Sequence, residues 1–147
     1  LLQIESSGRL NRLRGSAGSF GGLRIAESAI QSAVYASSAR SIGSEVSQSE
    51  SNDVIFNIAL IEECVIANDL VEEINLGTDV PLIMGADNGW LFPTQPTEYN
   101  WSVEEYLQRT CKKADISPNG WGEANMVILK TKIFREKEPN GQIEIIE

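Results

Sequence analysis

Apolar residues recur at helical spacing through "GGLRIAESAIQSAVYASSARSIGSEV", from Gly21 to Val46, and most of them are small. The pattern predicts a helix from about Leu23 to Gln48. A second run follows after "SQSESND", with Ser51 or Asn52 as the N-cap. There Val54, Ile55, Ile58, Leu60, Ile61, Cys64, Val65, Ala67, Val71 and Ile74 leave only a narrow polar side of Glu62, Asp69 and Glu73. This predicts a second long helix from about Asp53 to Leu76, ended by Gly77 and buried on several sides.

The pattern then shortens. "PLIMGADNGWLFP" predicts a small hairpin in which Gly89 supplies a positive φ. Ser102 and Glu105 have capping-box spacing, so a third helix is expected over Val103 to Ala114, with Val103, Tyr106, Leu107, Cys111 and Ala114 inward. At the C-terminus a turn closed by Lys137 and Gln142 sets Arg135 opposite Glu144, Phe134 opposite Ile145 and Lys132 opposite Glu147. Residues 1–22 are rich in Gly, Ser and Arg and predict a flexible basic arm. The expected fold is α+β: two long N-terminal helices and a third shorter helix, packed with a small antiparallel sheet that includes a C-terminal β-hairpin. Residues 23–147 form the single domain of that reading.

The first helix raises the main question. Gly22, Ala29, Ala36 and Gly43 share one heptad position, and Ile25, Ser32, Ala39 and Val46 lie three residues on. Such a seam permits close approach of another helix. At 26 residues the helix would be about 39 Å long, as wide as the whole domain. Gly22, Ile25, Ala29, Ala36, Ala39 and Gly43 are therefore the candidate self-association residues. A kink or break near Ser37–Ser38 or Gly43 would instead leave two short helices packed within the chain.

Charge divides the chain. The formal net charge is −9, yet Arg9, Arg12, Arg14 and Arg24 lie between Gly8 and Ala26 with no acid among them. An acidic body argues against broad nucleic-acid binding, which leaves the N-terminal arginines as the one place for phosphate or for an acidic neighbour. The glycine-rich "GSAGSFGG" beside them lacks the Lys-Ser/Thr of a nucleotide-binding loop, and no strand is expected before it. No apolar run approaches the roughly 20 residues of a membrane helix. No signal-peptide pattern is visible, and a chain opening on Leu1 is expected to be processed or trimmed.

The chemistry is sparse. There is no His, which removes His-activated nucleophiles and most transition-metal sites. Cys64 and Cys111 carry no metal-binding spacing and read as buried reduced thiols. No cofactor and no metal are expected. The leading expectation is a non-enzymatic structural subunit of a homo-oligomeric ring or tube, such as a virion connector or tail component. Its partners would be copies of itself and neighbouring assembly proteins, reached through the arm arginines, with no membrane contact. Its location is open, with a soluble virion or cytoplasmic protein in view. One alternative is a monomeric module presenting Trp90, Tyr99, Trp101 and Trp121 to a carbohydrate or protein. Another is a hydrolase using Glu62, Asp69 and Glu73.

Overall fold

The structure is a computed structural model in which residues 1–7, 12–38, 45–84 and 88–147 are described. It opens on strands. β1 spans Leu2–Ser6 and β2 Arg12–Ala17, followed by α1 (Ile25–Ser37) and the long β3 (Val54–Val65). Then come α2 (Leu70–Glu73), β4 (Asp79–Ile83), α3 (Gln95–Glu98), α4 (Val103–Lys113), β5 (Met126–Glu136) and β6 (Ile143–Ile146). The six strands follow the order β2-β1-β3-β5-β4, with β6 pairing β5 off this path. The described pairings of β1 with β2 and β3, and of β5 with β4 and β6, are all antiparallel. The fold is thus mixed α+β, but the expected pair of long N-terminal helices is replaced by a strand-dominated start.

Each departure has a local cause. In β3, "VIFNIALIEECV" is dense in β-branched and aromatic residues, and periodicity alone does not separate a doubly buried strand from a buried helix. Pairing with β1 decides it, from Leu2 opposite Ile58 to Ser6 opposite Val54. In the first 22 residues the Gly/Ser/Arg composition conceals a period of two. Leu2 and Ile4 alternate with Gln3 and Glu5, and all four are buried.

The chain divides into two compact units, Leu1–Leu60 with Ile133–Glu147, and Ile61–Lys132. In the first, α1 lies on β1 and β2. Ser32 and Ala36 are buried beneath it, and Ala33 packs against the cluster that Ala36 forms with Leu2, Ile4, Ala17 and Val54. The small residues therefore fit the helix to a sheet of its own chain. The helix ends at Ser37, where the Ser37 and Ser38 hydroxyls donate to the carbonyls of Val34 (3.0 Å) and Tyr35 (2.7 Å). At the C-terminal hairpin of this unit, Phe134 faces Ile145 and Arg135 faces Glu144, the register read from the sequence.

The second unit is built around α4. Ser102 caps it by accepting from Glu105 N–H at 3.2 Å, and Tyr106, Leu107 and Cys111 are fully buried against Ile74, Ile83 and Ile128. The Tyr106 hydroxyl donates to Leu91 O at 3.0 Å, and burial pushes its ionisation far above the ordinary range. Beside it Lys130 Nζ lies 2.6 Å from Asp79 Oδ2, which also accepts from Asn75 N–H at 2.8 Å. Gly89 bridges Ile83, but its role is closeness rather than positive φ. A Cβ there would meet Ala114 Cβ at 2.5 Å and Thr110 O at 2.8 Å.

Candidate functional site

The β2-β1-β3 sheet of the first unit has two unlike faces. Leu2, Ile4 and Ala17 meet α1. On the other face one row crosses three strands, because Ser16 pairs with Gln3 and Gln3 with Asn57. Directly paired residues project to the same side, as do residues two apart, so Ser16, Gln3, Glu5 and Asn57 share that face. Gln3, Glu5 and Asn57 are only 2%, 4% and 1% exposed, an uncommon burial for such side chains.

Their partners differ. Gln3 Nε2 donates to Glu5 Oε1 at 2.5 Å, and the Arg135 guanidinium lies 3.9 Å from Glu5 Oε2, so one oxygen of the buried carboxylate is hydrogen-bonded and the other faces a positive charge. Next to this row, Phe56 N–H donates to Glu136 Oε2 at 2.8 Å, which anchors the end of β5 to β3. Asn57 stands apart. Among the described residues, neither its Oδ1 nor its Nδ2 meets a hydrogen-bond partner. Leaving such an amide unpaired in the interior costs about 1–3 kcal/mol. It sits inside the apolar run "VIFNIAL", where Val or Ile would suit the strand better.

A bulge shapes the opposite edge of the row. Ile4 pairs with Gly15 but Glu5 with Leu13, leaving Arg14 as the extra residue of β2. The guanidinium of Arg14 donates to Glu50 Oε1 (2.8 Å), Ser6 Oγ (3.1 Å) and Glu45 O (2.9 Å). Arg14, with help from Ser47, holds the Glu50 carboxyl down at about 2. Arg14 is therefore committed to fastening residues 45–50 to the strands.

The other candidate residues are dispersed. Gly22 and Ile25 are exposed, Ala29 is half-buried and Ala36 is in the first unit's own core, while Ala39 and Gly43 lie outside the described residues. Arg9 is also outside them, Arg12 is exposed, and Arg24 is exposed at the start of α1, its N–H donating to Glu27 Oε2 at 3.4 Å. A strand, β2, does precede the glycine-rich loop, contrary to expectation, but Arg14 is engaged with Glu50, Ser6 and Glu45. Glu62 is exposed on β3. Asp69 caps α2 by accepting from Val71 and Glu72 N–H, and Glu73 accepts from Asn68 and Asp69 N–H. Those carboxylates thus serve a helix end.

Tyr99 stacks on Trp101 at 5.3 Å, with the Arg109 guanidinium 4.2 Å from the Trp101 ring centre. Trp101 and Trp121 both rest on the α4 core, and Trp90 is half-buried. Cys111 is buried, which pushes its thiol up, whereas Cys64 is exposed on β3, not buried in a helix; both are free. Among the described residues no group of three or more His, Cys, Asp or Glu is placed to hold a metal, and no helix is long and apolar enough to cross a membrane. The second unit carries an open pocket of about 580 Å³ between Ile83, Met84 and the turn after α4, with Asp115 and Glu123 at its wall.

Sequence reasoning missed Gln3, Glu5 and Asn57. The available signal was a single amide inside an apolar run and two polar residues alternating with Leu2 and Ile4.

A Halobacterium salinarum protein is 32% identical over 146 residues, which is 92% of this chain and 70% of that protein. A Methanococcus aeolicus protein is 34% identical over 106 residues, and the match spans 53% of its length. The crystal structure of protein PH0010 from Pyrococcus horikoshii shares the fold, with a TM-score of 0.84 at 23% identity, covering 99% of this chain and 76% of that one. None of these supports a virion connector, a tail component or a ring-forming structural subunit, and that expectation is set aside. The AMMECR1 family profile matches residues 2–134, and the chain belongs to the AMMECR1 family.

Proposed function

We propose that this chain is a non-catalytic binding domain that holds a small polar ligand against the Ser16–Gln3–Asn57 row, in which Gln3 and Asn57 are buried and Ser16 is half-buried. The observation that carries the reading is the Asn57 amide, 1% exposed and unpartnered at both ends among the described residues. Buried polar groups in native structures are nearly always hydrogen-bonded, so an orphan calls for an explanation. A costly group kept where an apolar one would fit is the mark of a functional position. The complete absence of His and the engagement of Asp69 and Glu73 in capping favour binding over acid–base catalysis.

The test is side-chain amide NMR of Asn57 and Gln3 across a panel of small neutral, anionic and cationic fragments. At least one class is expected to move the Asn57 NH₂ signals, and Asn57→Leu is expected to remove the response of the neighbouring Gln3 amide. A panel that moves neither amide refutes the reading.

A further inference from the structure

Resting on that binding reading, the geometry further points to the class of ligand: we infer that the row takes a neutral group with adjacent hydrogen-bond donor and acceptor, a carboxamide or a lactam edge. Three observations converge. First, both ends of Asn57 are unpaired, so the complement must supply an acceptor for Nδ2 and a donor for Oδ1 together. An amide side chain meets both needs with one planar partner through two parallel hydrogen bonds, as it does on the edge of a base. A carboxylate satisfies only Nδ2, and an ammonium only Oδ1.

Second, the charge on this face is already balanced. Glu5 is matched by Arg135 at 3.9 Å and receives a hydrogen bond from Gln3. A charged ligand would add an uncompensated charge among residues 1–4% exposed, which costs far more than placing a neutral dipole there. Third, the cross-strand partners are polar and neutral, with Gln3 directly opposite Asn57 and Ser16 opposite Gln3, while Ile55 and Ala59 flank Asn57 along β3 as buried apolar walls.

The chemistry has two small-molecule sources, an open-chain amide or a cyclic lactam such as a pyrimidine edge. Acetamide and uracil are the respective probes, with acetate and methylammonium as charged controls of similar size. The readouts are the Asn57 NH₂ cross-peaks and the melting temperature of the intact chain. Acetamide, uracil or both are expected to shift the Asn57 cross-peaks saturably and raise the melting temperature, and whichever binds names the source. Asn57→Asp, which cannot donate when ionised, is expected to lose the response, and Ser16→Ala to weaken it only. Folding of each variant is checked by its far-UV spectrum. If Asn57→Asp unfolds, intermolecular nuclear Overhauser contacts between the bound probe and the Asn57 NH₂ of the wild-type chain decide the same point, and their absence in the presence of binding overturns the assignment. A response to acetate or methylammonium with none to the neutral probes overturns the ligand class and leaves the binding site standing. No response to any probe overturns both.

Discussion

Replacing Asn57 by Leu is expected to stabilise the protein. The two side chains branch at the same carbon, so Leu can occupy the same rotamer. The substitution removes an unpartnered amide, worth about 1–3 kcal/mol in favour of the variant. Two methyls are larger than an oxygen and an amino group, and overpacking at a site 1% exposed takes back on the order of 1 kcal/mol. The net expectation is a gain of about 0–2 kcal/mol, or up to about 8 °C in melting temperature at this chain length. Urea unfolding followed by far-UV circular dichroism measures it, with Gln3→Leu as the counterpart. Gln3 sits opposite Asn57 on the same face, but its amide donates to the buried Glu5 carboxylate. Its loss is expected to cost about 1.5–3 kcal/mol, because hydrogen bonds to charged groups are the stronger ones. Opposite signs at adjacent positions are the signature. If Asn57→Leu destabilises by 2 kcal/mol or more, the amide is satisfied in solution and structural, and the argument for a site fails.

Other expectations concern the scaffold. Ala36→Leu crowds a helix position 1% exposed against β1 and β2, with an expected loss of about 1–3 kcal/mol in urea unfolding, whereas Ile30→Ala, 65% exposed, should stay within about 0.5 kcal/mol. Gly89→Ala drives a methyl into Ala114 and the Thr110 carbonyl, and a comparable loss of about 1–3 kcal/mol in the urea midpoint is expected; a neutral outcome means that α4 shifts freely. Glu50 has its folded pKa depressed to about 2 from 4.5, so its contribution is fully present above pH 4.5 and is lost as pH falls toward 2. The gap in urea midpoint between wild type and Glu50→Gln should therefore be wider at pH 7 than at pH 3, and a gap that widens on acidification refutes the Arg14–Glu50 assignment.

What could be read from the sequence was local. Ser102 and Glu105 announced α4, and its inward residues followed from spacing. The hairpin register followed from pairing Phe134 with Ile145 across a tight turn, although the charges then settled differently, with Arg135 near Glu5 and Lys137 3.9 Å from Glu144. The failures were non-local. Whether Val54–Val65 coils or extends depends on β1, whose paired residues lie 48 to 56 positions away in sequence, and nothing inside the segment records that partner. Composition misled at residues 1–22, because Ser6, Arg12, Arg14 and Ser16, which suggest an arm, belong to a bulged pair of strands. In α1 the small residues Ser32, Ala33 and Ala36 pack against a sheet of the same chain, a neighbour that heptad spacing does not name, while Gly22 and Ile25 of the expected seam are exposed. The candidate site was the least visible part, since a row assembled from three strands has no spacing in the sequence.

The bulge at Arg14 carries a consequence for how this hairpin tolerates changes of length. Before it, paired residue numbers run from Leu2 with Ala17 to Ile4 with Gly15; after it they run from Glu5 with Leu13 to Ser6 with Arg12. Excising Arg14 would merge the two ladders into one continuous register, with every other side chain keeping its face. The strand does not need the residue to exist as a strand. What the additional position provides is a guanidinium aimed out of the pleat at residues 45–50, so a one-residue gap at this point, in any descendant of this chain, would close the hairpin cleanly and release that segment.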